Sequence, residues 1–128
     1  MTLLLDTHTF LWFWWADPQL SAKAMAAICD PSNRKLISPA SAWEIAIKVS
    51  GKKLYLGALY RGYIQMQMLR NNFETLPIID EHIAGLVGMP FHHKDPFDRM
   101  LISQANYENI PIVSADVQFD SYGITRLW

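Results

Sequence analysis

Two aspartates in this sequence stand at the ends of short apolar runs. Asp6 directly follows residues 2–5, and Asp116 closely follows Ile112 and Val113. Short apolar runs of this kind are typical of strands that are buried on both faces of a parallel sheet. In open α/β sheets the ligand site lies beyond the carboxyl ends of the strands. The pattern therefore predicts a parallel sheet with both acids at one edge.

Segments of helical composition separate the predicted strands, and Ser21, Asp80 and Asp95 are the expected helix caps. Strands that alternate with helices require parallel crossovers. We therefore expect an α/β fold, a three-layer α/β/α sandwich with a small, mostly parallel sheet, and no linker divides residues 1–128 into more than one domain. The expected strands or extended segments are 2–5, 36–38, 73–79, 110–114 and 124–128, and the expected helices are 10–15, 21–29, 40–49, 59–70, 80–88 and 95–107.

Composition limits the kinds of partner and compartment. The 128 residues are 51% hydrophobic and carry a net charge of −1, so any nucleic-acid binding needs local basic clusters or bound cations. Residues 1–16 lack a basic leader region, and no apolar stretch approaches the length of a membrane span, which predicts a cytoplasmic protein without membrane attachment. The single cysteine, Cys29, is expected to be a buried apolar residue in a reducing compartment.

Two of the candidate site residues, Asp6 and Asp116, have simple structural explanations. Asp6 is placed to cap the helix that follows it, and Asp116 is placed to cap or to form a turn. Two acids at matching strand ends nevertheless favour a shared site.

Two further acids, Glu44 and Asp98, also have structural explanations. Asp98 stands three residues after the expected cap Asp95, where an acid meets the helix dipole favourably. Glu44 and Lys48 have the spacing of an exposed helical ion pair. Apolar residues nevertheless surround the stripe formed by Ser41, Glu44 and Lys48, so the stripe is also placed to face an enclosed polar cleft.

Four carboxylates that gather in one place repel one another and normally need a cation. Oxygen ligands without cysteine favour Mg²⁺ or Mn²⁺ over zinc. Such an ion lowers the pKa of a bound water and polarises a phosphodiester. Ser114 is placed to hydrogen-bond one of the acids as a supporting residue.

Basic residues near these acids are candidates for contact with substrate phosphates, or they are ordinary solvated charges. His92 and His93 near Asp95 also raise the possibility of zinc, but their spacing does not match a helical zinc motif. The cluster comprises Lys52, Lys53, His92, His93, Lys94 and Arg99, and the favoured substrate contacts are Lys48, His93 and Arg99.

An aromatic run follows His8, with Phe10, Trp12, Phe13, Trp14 and Trp15 in six positions. Its first interpretation is core packing. Its second is an interface with a partner or a second copy, because aromatic residues concentrate in the cores of interfaces.

These motifs together resemble the PIN-domain family, and in particular the VapC-like ribonuclease toxins of bacterial type II toxin–antitoxin pairs. The resemblance covers nearly the whole chain in the order of the family. It rests on LLDTH at 4–8, SAWEIAIK at 41–48, GK at 51–52, LPI at 76–78, HKDPFDR at 93–99 and SAD at 114–116, followed by Phe119 and Tyr122.

The resemblance implies an endoribonuclease that depends on Mg²⁺ or Mn²⁺, forms a homodimer and is inhibited by an antitoxin protein lying across the active-site side. The catalytic and metal-binding acids would be Asp6, Glu44, Asp98 and Asp116, supported by Ser114. The same site would serve a housekeeping RNA-processing nuclease. A non-catalytic binding module on the same fold remains an alternative. A phosphotransferase with Asp6 as nucleophile is disfavoured, because no second acid stands two residues later.

Overall fold

Parallel strands form the centre of the structure, a computed structural model that describes residues 1–57 and 60–128. Within those residues the sheet has five strands, which are β1 Thr2–Leu5, β2 Arg34–Ile37, β3 Phe73–Thr75, β4 Ile112–Val113 and β5 Arg126–Leu127. Their order in the sheet is β3-β2-β1-β4-β5, and every adjacent pair is parallel. The predicted α/β class with a small parallel sheet is confirmed.

Helices cover both faces of this sheet. Leu3 and Leu5 belong to one buried cluster with residues of the first three helices, and the fourth helix packs against it. Leu4 belongs to a second buried cluster with residues of the last helix. This alternation along β1 follows from the two-residue period of a strand. The helices are α1 Thr7–Trp14, α2 Ala22–Cys29, α3 Pro39–Ser50, α4 Tyr60–Arg70, α5 Asp80–Ala84 and α6 Pro96–Glu108, and a 3₁₀ helix spans Val117–Tyr122.

Several predicted boundaries change for local reasons. The first helix begins at Thr7 because Asp6 caps it, and the third begins at Pro39 because Ser38 caps it. The predicted helix 59–70 is observed from Tyr60, and residue 59 lies outside the described residues. Strand β3 ends at Thr75, well before the predicted 79.

The fifth helix corrects the prediction that Asp80 caps a helix through residue 88. Asp80 is instead the first helical residue, and Ile79 occupies the cap position. The Ile79 backbone N–H donates to Nδ1 of His82 at 3.2 Å, so the histidine side chain supplies a hydrogen-bond acceptor at the start of the helix. The helix ends at Ala84, and Gly88 has a positive φ of 80° in the following turns.

The expectation that Cys29 is buried is wrong. Cys29 is exposed as the last residue of α2, whereas its neighbour Ile28 is 1% exposed and fills the core. Successive residues of a helix point about 100° apart, so one of these two neighbours faces outward. Among the described residues, no helix is long and apolar enough to cross a membrane.

The aromatic run divides between the core and the surface. Phe10 is fully buried and makes an edge contact with Phe73 at a centroid distance of 5.2 Å. Trp14 packs against Phe10 at 4.2 Å, while Trp15 at the end of the run is 41% exposed. The core interpretation holds for the start of the run, and the interface interpretation stays a prediction for its end.

Candidate metal centre

Asp6 links the end of β1 to the start of α1 and points to the carboxyl edge of the sheet. Its Oδ1 accepts a hydrogen bond from the Thr9 backbone N–H at 2.8 Å, and its Oδ2 accepts one from the Ser114 hydroxyl at 2.5 Å. The residue is 5% exposed, and this burial raises the pKa of Asp6 despite the hydrogen bonds that oppose the shift. Asp6 is therefore a helix cap and also a buried acid.

Ser114 joins the ends of β1 and β4. Its hydroxyl oxygen donates to Asp6 and accepts the backbone N–H of Asp116 at 3.0 Å, and the side chain is fully buried. Asp116 caps the 3₁₀ helix, because its Oδ1 accepts from the Gln118 N–H at 2.9 Å. The supporting position expected for Ser114 agrees with these contacts.

Glu44 enters the same region from α3. It is 6% exposed, and its Oε2 lies 3.1 Å from Nζ of Lys48, as the i,i+4 spacing predicts. The ion pair differs from the exposed pair that the spacing predicts, because Glu44 is buried and lies in a polar stripe with the buried Ser41. Oε1 of Glu44 is buried and has no hydrogen-bond partner among the described residues. An unpartnered buried carboxylate oxygen is costly, so it marks a position where a cation or its water fits.

Asp98 projects from the first turn of α6. Asp95, and not Asp98, caps α6, because Oδ1 of Asp95 accepts hydrogen bonds from the N–H groups of Phe97 at 2.8 Å and Asp98 at 3.1 Å. Burial, and after it the negative charges of the neighbouring acids, together raise the pKa of Asp98 to about 8. The acids that contribute are Asp95, Asp6, Glu44 and Asp116. The structure therefore brings the other three predicted site acids, Asp6, Glu44 and Asp116, within electrostatic reach of Asp98.

His93 is a further member of the site, in a position that sequence reasoning did not assign. Its Nε2 lies 2.8 Å from Oδ2 of Asp116 and 3.1 Å from Oδ2 of Asp98, and the residue is 9% exposed. One polar atom from each of these three side chains lies within 4.8 Å of the other two. Because the ring is directed towards the acids and away from solvent, the expected phosphate contact does not fit. The sequence signal that could have indicated this role is the position of His93, two residues before the helix cap Asp95.

Arg99 also departs from the expected phosphate contact. Its guanidinium is buried and donates to the backbone carbonyls of Pro90 at 2.8 Å, His93 at 3.2 Å and Met89 at 3.2 Å. The ring of Phe91 covers it at 4.0 Å. A guanidinium with these contacts holds the segment before α6 in place and has no face left for a substrate.

The other basic candidates are spread over the surface. Lys52, Lys53, His92 and Lys94 are exposed. The His92 ring packs against Tyr122 at 5.2 Å, so it does not join His93 in a zinc-type pair. Lys48, whose side chain is 34% exposed beside Glu44, remains a candidate for substrate contact.

The donor set fits a hard divalent cation. The site offers carboxylate oxygens from four side chains, and Cys29 is elsewhere, on the exposed end of α2. Burial raises the pKa of Asp98 and the neighbouring acids add to this effect, so a bound cation would favour the ionised form of Asp98. Mg²⁺ and Mn²⁺ are the ions that such oxygen ligands favour.

A parallel sheet with a buried acidic centre beyond its carboxyl edge defines a class of α/β proteins with a candidate metal site. The sequence matches the PIN domain family over residues 3–124. The chain therefore belongs to the PIN domain family.

Solved structures share this fold across nearly their whole length. A structure described as VapBC2 from Rickettsia felis bound to a DNA fragment from the promoter matches with a TM-score of 0.71 at 15% identity, covering 98% of this chain and 97% of the other. VapBC-1 from nontypeable Haemophilus influenzae gives 0.66 at 15% identity, with coverage of 98% and 96%. FitAcB from Neisseria gonorrhoeae gives 0.65 at 15% identity, with coverage of 97% and 95%. A search of curated proteins found no match.

Proposed function

We propose that the protein is an endoribonuclease that hydrolyses RNA phosphodiester bonds with Mg²⁺ or Mn²⁺. The observation that carries the proposal is the buried, unpartnered Oε1 of Glu44, together with the negative charges of Asp6, Glu44 and Asp116 that act on Asp98. Membership of the PIN family supports it, because PIN domains are generally nucleases. The family match over residues 3–124 also supports the proposal that residues 1–128 form a single nuclease domain.

In this proposal Asp6, Glu44, Asp98 and Asp116 hold the ion. A bound divalent cation supplies a water of lowered pKa and polarises the phosphodiester. Ser114 orients the acids from two strands, since one hydroxyl contacts both the Asp6 carboxylate and the Asp116 backbone.

Two residues are proposed to change their state when the ion and the substrate bind. Asp98 has to release its proton when the ion binds at neutral pH, because its pKa is about 8 without the ion. Lys48 lies beside Glu44 with part of its side chain exposed, and this position suits contact with a phosphate.

The biological role that we propose is the toxin of a toxin–antitoxin pair, acting on RNA in the cytoplasm and inhibited by an antitoxin protein. The sequence resemblance to VapC-like toxins and the fold shared with VapBC structures support this role. A housekeeping RNA-processing nuclease would use the same acids.

A homodimer is part of the same proposal. Trp43 is 64% exposed and Ile47 is 48% exposed on α3, on the outer side of the helix that carries Glu44. Trp43 makes an edge contact with Phe97 of α6, and the two border an apolar cleft with Met100. An exposed apolar surface beside the site is suited to contact with a second copy.

The first experiment is cleavage of a mixed RNA pool by purified, partner-free protein with Mg²⁺ or Mn²⁺, beside an EDTA control and a single-stranded DNA pool. We expect metal-dependent cutting of RNA that Asp6→Ala and Glu44→Gln abolish. Glu81→Gln is the matched control, because Glu81 is an exposed glutamate on α5.

Two results of this experiment would contradict the proposal. Cutting that survives EDTA or Glu44→Gln would place the activity outside this site. The absence of both cutting and metal binding would favour a non-catalytic binding module. A growth assay then separates the two nuclease roles, since expression of a toxin arrests growth and a co-expressed antitoxin relieves the arrest.

A further inference from the structure

His93 is held from several directions, through its backbone and through its ring. The residue's backbone N–H donates to the Tyr122 hydroxyl at 2.7 Å, and its carbonyl accepts from the Arg99 guanidinium at 3.2 Å. The ring lies against Phe119 at a centroid distance of 5.8 Å. With so many contacts the imidazole has a defined orientation, and its two nitrogens have different surroundings.

The surroundings of Nδ1 determine which nitrogen carries the proton. The backbone N–H of Asp95 donates to Nδ1 of His93 at 3.2 Å, so Nδ1 acts as an acceptor and has no proton. In a neutral imidazole the proton is then on Nε2. Nε2 lies 2.8 Å from Asp116 and 3.1 Å from Asp98, where an N–H group can donate to both carboxylates.

A direct bond from His93 to a metal is incompatible with this arrangement. Ligation through Nε2 would need that nitrogen without a proton, which moves the proton of a neutral ring to Nδ1. Two N–H groups, those of Nδ1 and of the Asp95 backbone, would then face each other across 3.2 Å. The clustering of His93 with Asp98 and Asp116 therefore does not make it a third ligand.

We propose that His93 is a positioning residue that donates its Nε2–H to Asp98 and Asp116 and so holds the two carboxylates together for the cation, without binding the cation itself. The inference rests on the proposed function, in which these two acids are metal ligands. Asp98 comes from α6 and Asp116 follows β4, so His93 connects two separate elements of the fold. Loss of a residue that hydrogen-bonds to metal ligands typically lowers the affinity for the metal by about 10- to 100-fold.

The first test reads the tautomer directly. Long-range ¹H–¹⁵N correlation NMR on protein labelled at histidine distinguishes protonated from unprotonated ring nitrogens. We expect His93 to show a proton on Nε2 and none on Nδ1, both without metal and with saturating Mg²⁺. His82 is an internal reference, because its Nδ1 also accepts a backbone N–H and its Nε2 faces Glu108 at 2.9 Å.

Two NMR results would overturn the proposal. One is a proton on Nδ1 of His93 in the metal-free protein. The other is loss of the Nε2 proton when Mg²⁺ binds, which would make the ring a ligand. Comparison with His93→Gln assigns the signals, and the tautomer itself is read on the wild-type protein.

The second test measures Mn²⁺ affinity by EPR for the wild type and two variants. The amide of glutamine can replace the Nε2–H donor, whereas leucine cannot donate. We expect His93→Gln to bind Mn²⁺ nearly as well as the wild type and His93→Leu to bind about 10- to 100-fold more weakly. The exposed His92→Leu is the control, with unchanged affinity expected.

The Mn²⁺ signal also reports the atoms bound to the metal. Electron spin-echo modulation from a directly bonded ¹⁴N that disappears in His93→Gln would refute the positioning role, as would equal affinities for the glutamine and leucine variants. Failure of the wild type to bind Mn²⁺ or Mg²⁺ at all would instead refute the proposed metal-dependent function, and the NMR tautomer would still decide the role of His93.

Discussion

Replacing Asp98 with asparagine should stabilise the metal-free protein, and the stabilisation should grow with pH. The pKa of Asp98 is about 8 in the folded protein, because the side chain is buried among other acids, against an ordinary value of 3.8. Its protonated form therefore favours folding. This contribution is complete below about pH 4 and is lost as the pH rises towards 8. Asparagine is close in shape to the protonated acid and never acquires the charge.

The size of the effect follows from linkage. A raised pKa costs about 1.4 kcal/mol of folding free energy for each pH unit between the unfolded and the folded value. A shift of about four units therefore corresponds to roughly 5 to 6 kcal/mol by pH 8 as an upper limit. Between pH 5 and pH 7 alone, the advantage of the variant over the wild type should increase by roughly 3 kcal/mol.

Urea unfolding in EDTA at pH 5, 7 and 9 measures this difference. Asp120→Asn is a matched control of opposite sign, because the hydrogen bond from Arg126 lowers the pKa of Asp120 and asparagine would lose that contribution at neutral pH. With saturating Mg²⁺ the order should reverse, since the cation stabilises only the protein that supplies the carboxylate. A constant difference between Asp98→Asn and the wild type from pH 5 to 9 would refute the electrostatic reasoning.

Three other substitutions test separate parts of the structure. Ser114→Ala removes a buried hydroxyl that contacts both Asp6 and the Asp116 backbone, so urea unfolding should show a loss of about 1 to 3 kcal/mol and calorimetry should show weaker Mn²⁺ binding. Arg99→Lys cannot reach all three carbonyls, so the protein should lose roughly 2 to 3 kcal/mol of stability, whereas an unchanged stability with weaker RNA binding would restore the substrate-contact interpretation. Trp43→Ser should shift sedimentation towards the monomer with little change in the unfolding of the monomer, and an unchanged dimer would place the interface elsewhere.

The sequence predicts the sheet well because its signals are local. Residues 2–5 and Ile112 with Val113 are apolar runs that end near acids, and such runs are buried strands whatever their order in the sheet. The helix starts at Ser21 and Asp95 are predictable for the same reason, since each cap bonds the N–H groups two or three residues later.

The roles of His93 and Arg99 could not be predicted from local patterns. Both side chains are charged or polar, and His93 follows the exposed turn at residues 91–92, so both have the appearance of solvated residues. Arg99 is buried only because the chain from Met89 to His93 folds back over it and presents three carbonyls. His93 faces the acids because Asp116 arrives from another strand, 23 residues later. These roles depend on contacts between distant segments, and no short motif encodes them.

A capping role and a place in the acidic centre, which the sequence presents as alternatives for Asp6 and Asp116, coincide in the structure for a geometric reason. In a parallel sheet each strand leads into a helix at the carboxyl edge, so the residue at that junction is both a helix cap and a member of the edge. One oxygen of Asp6 accepts the Thr9 N–H and the other faces Ser114. Because asparagine also caps helices well, Asp6→Asn should retain the fold while it loses the charge, and so the acidic centre can be tested without removing the cap.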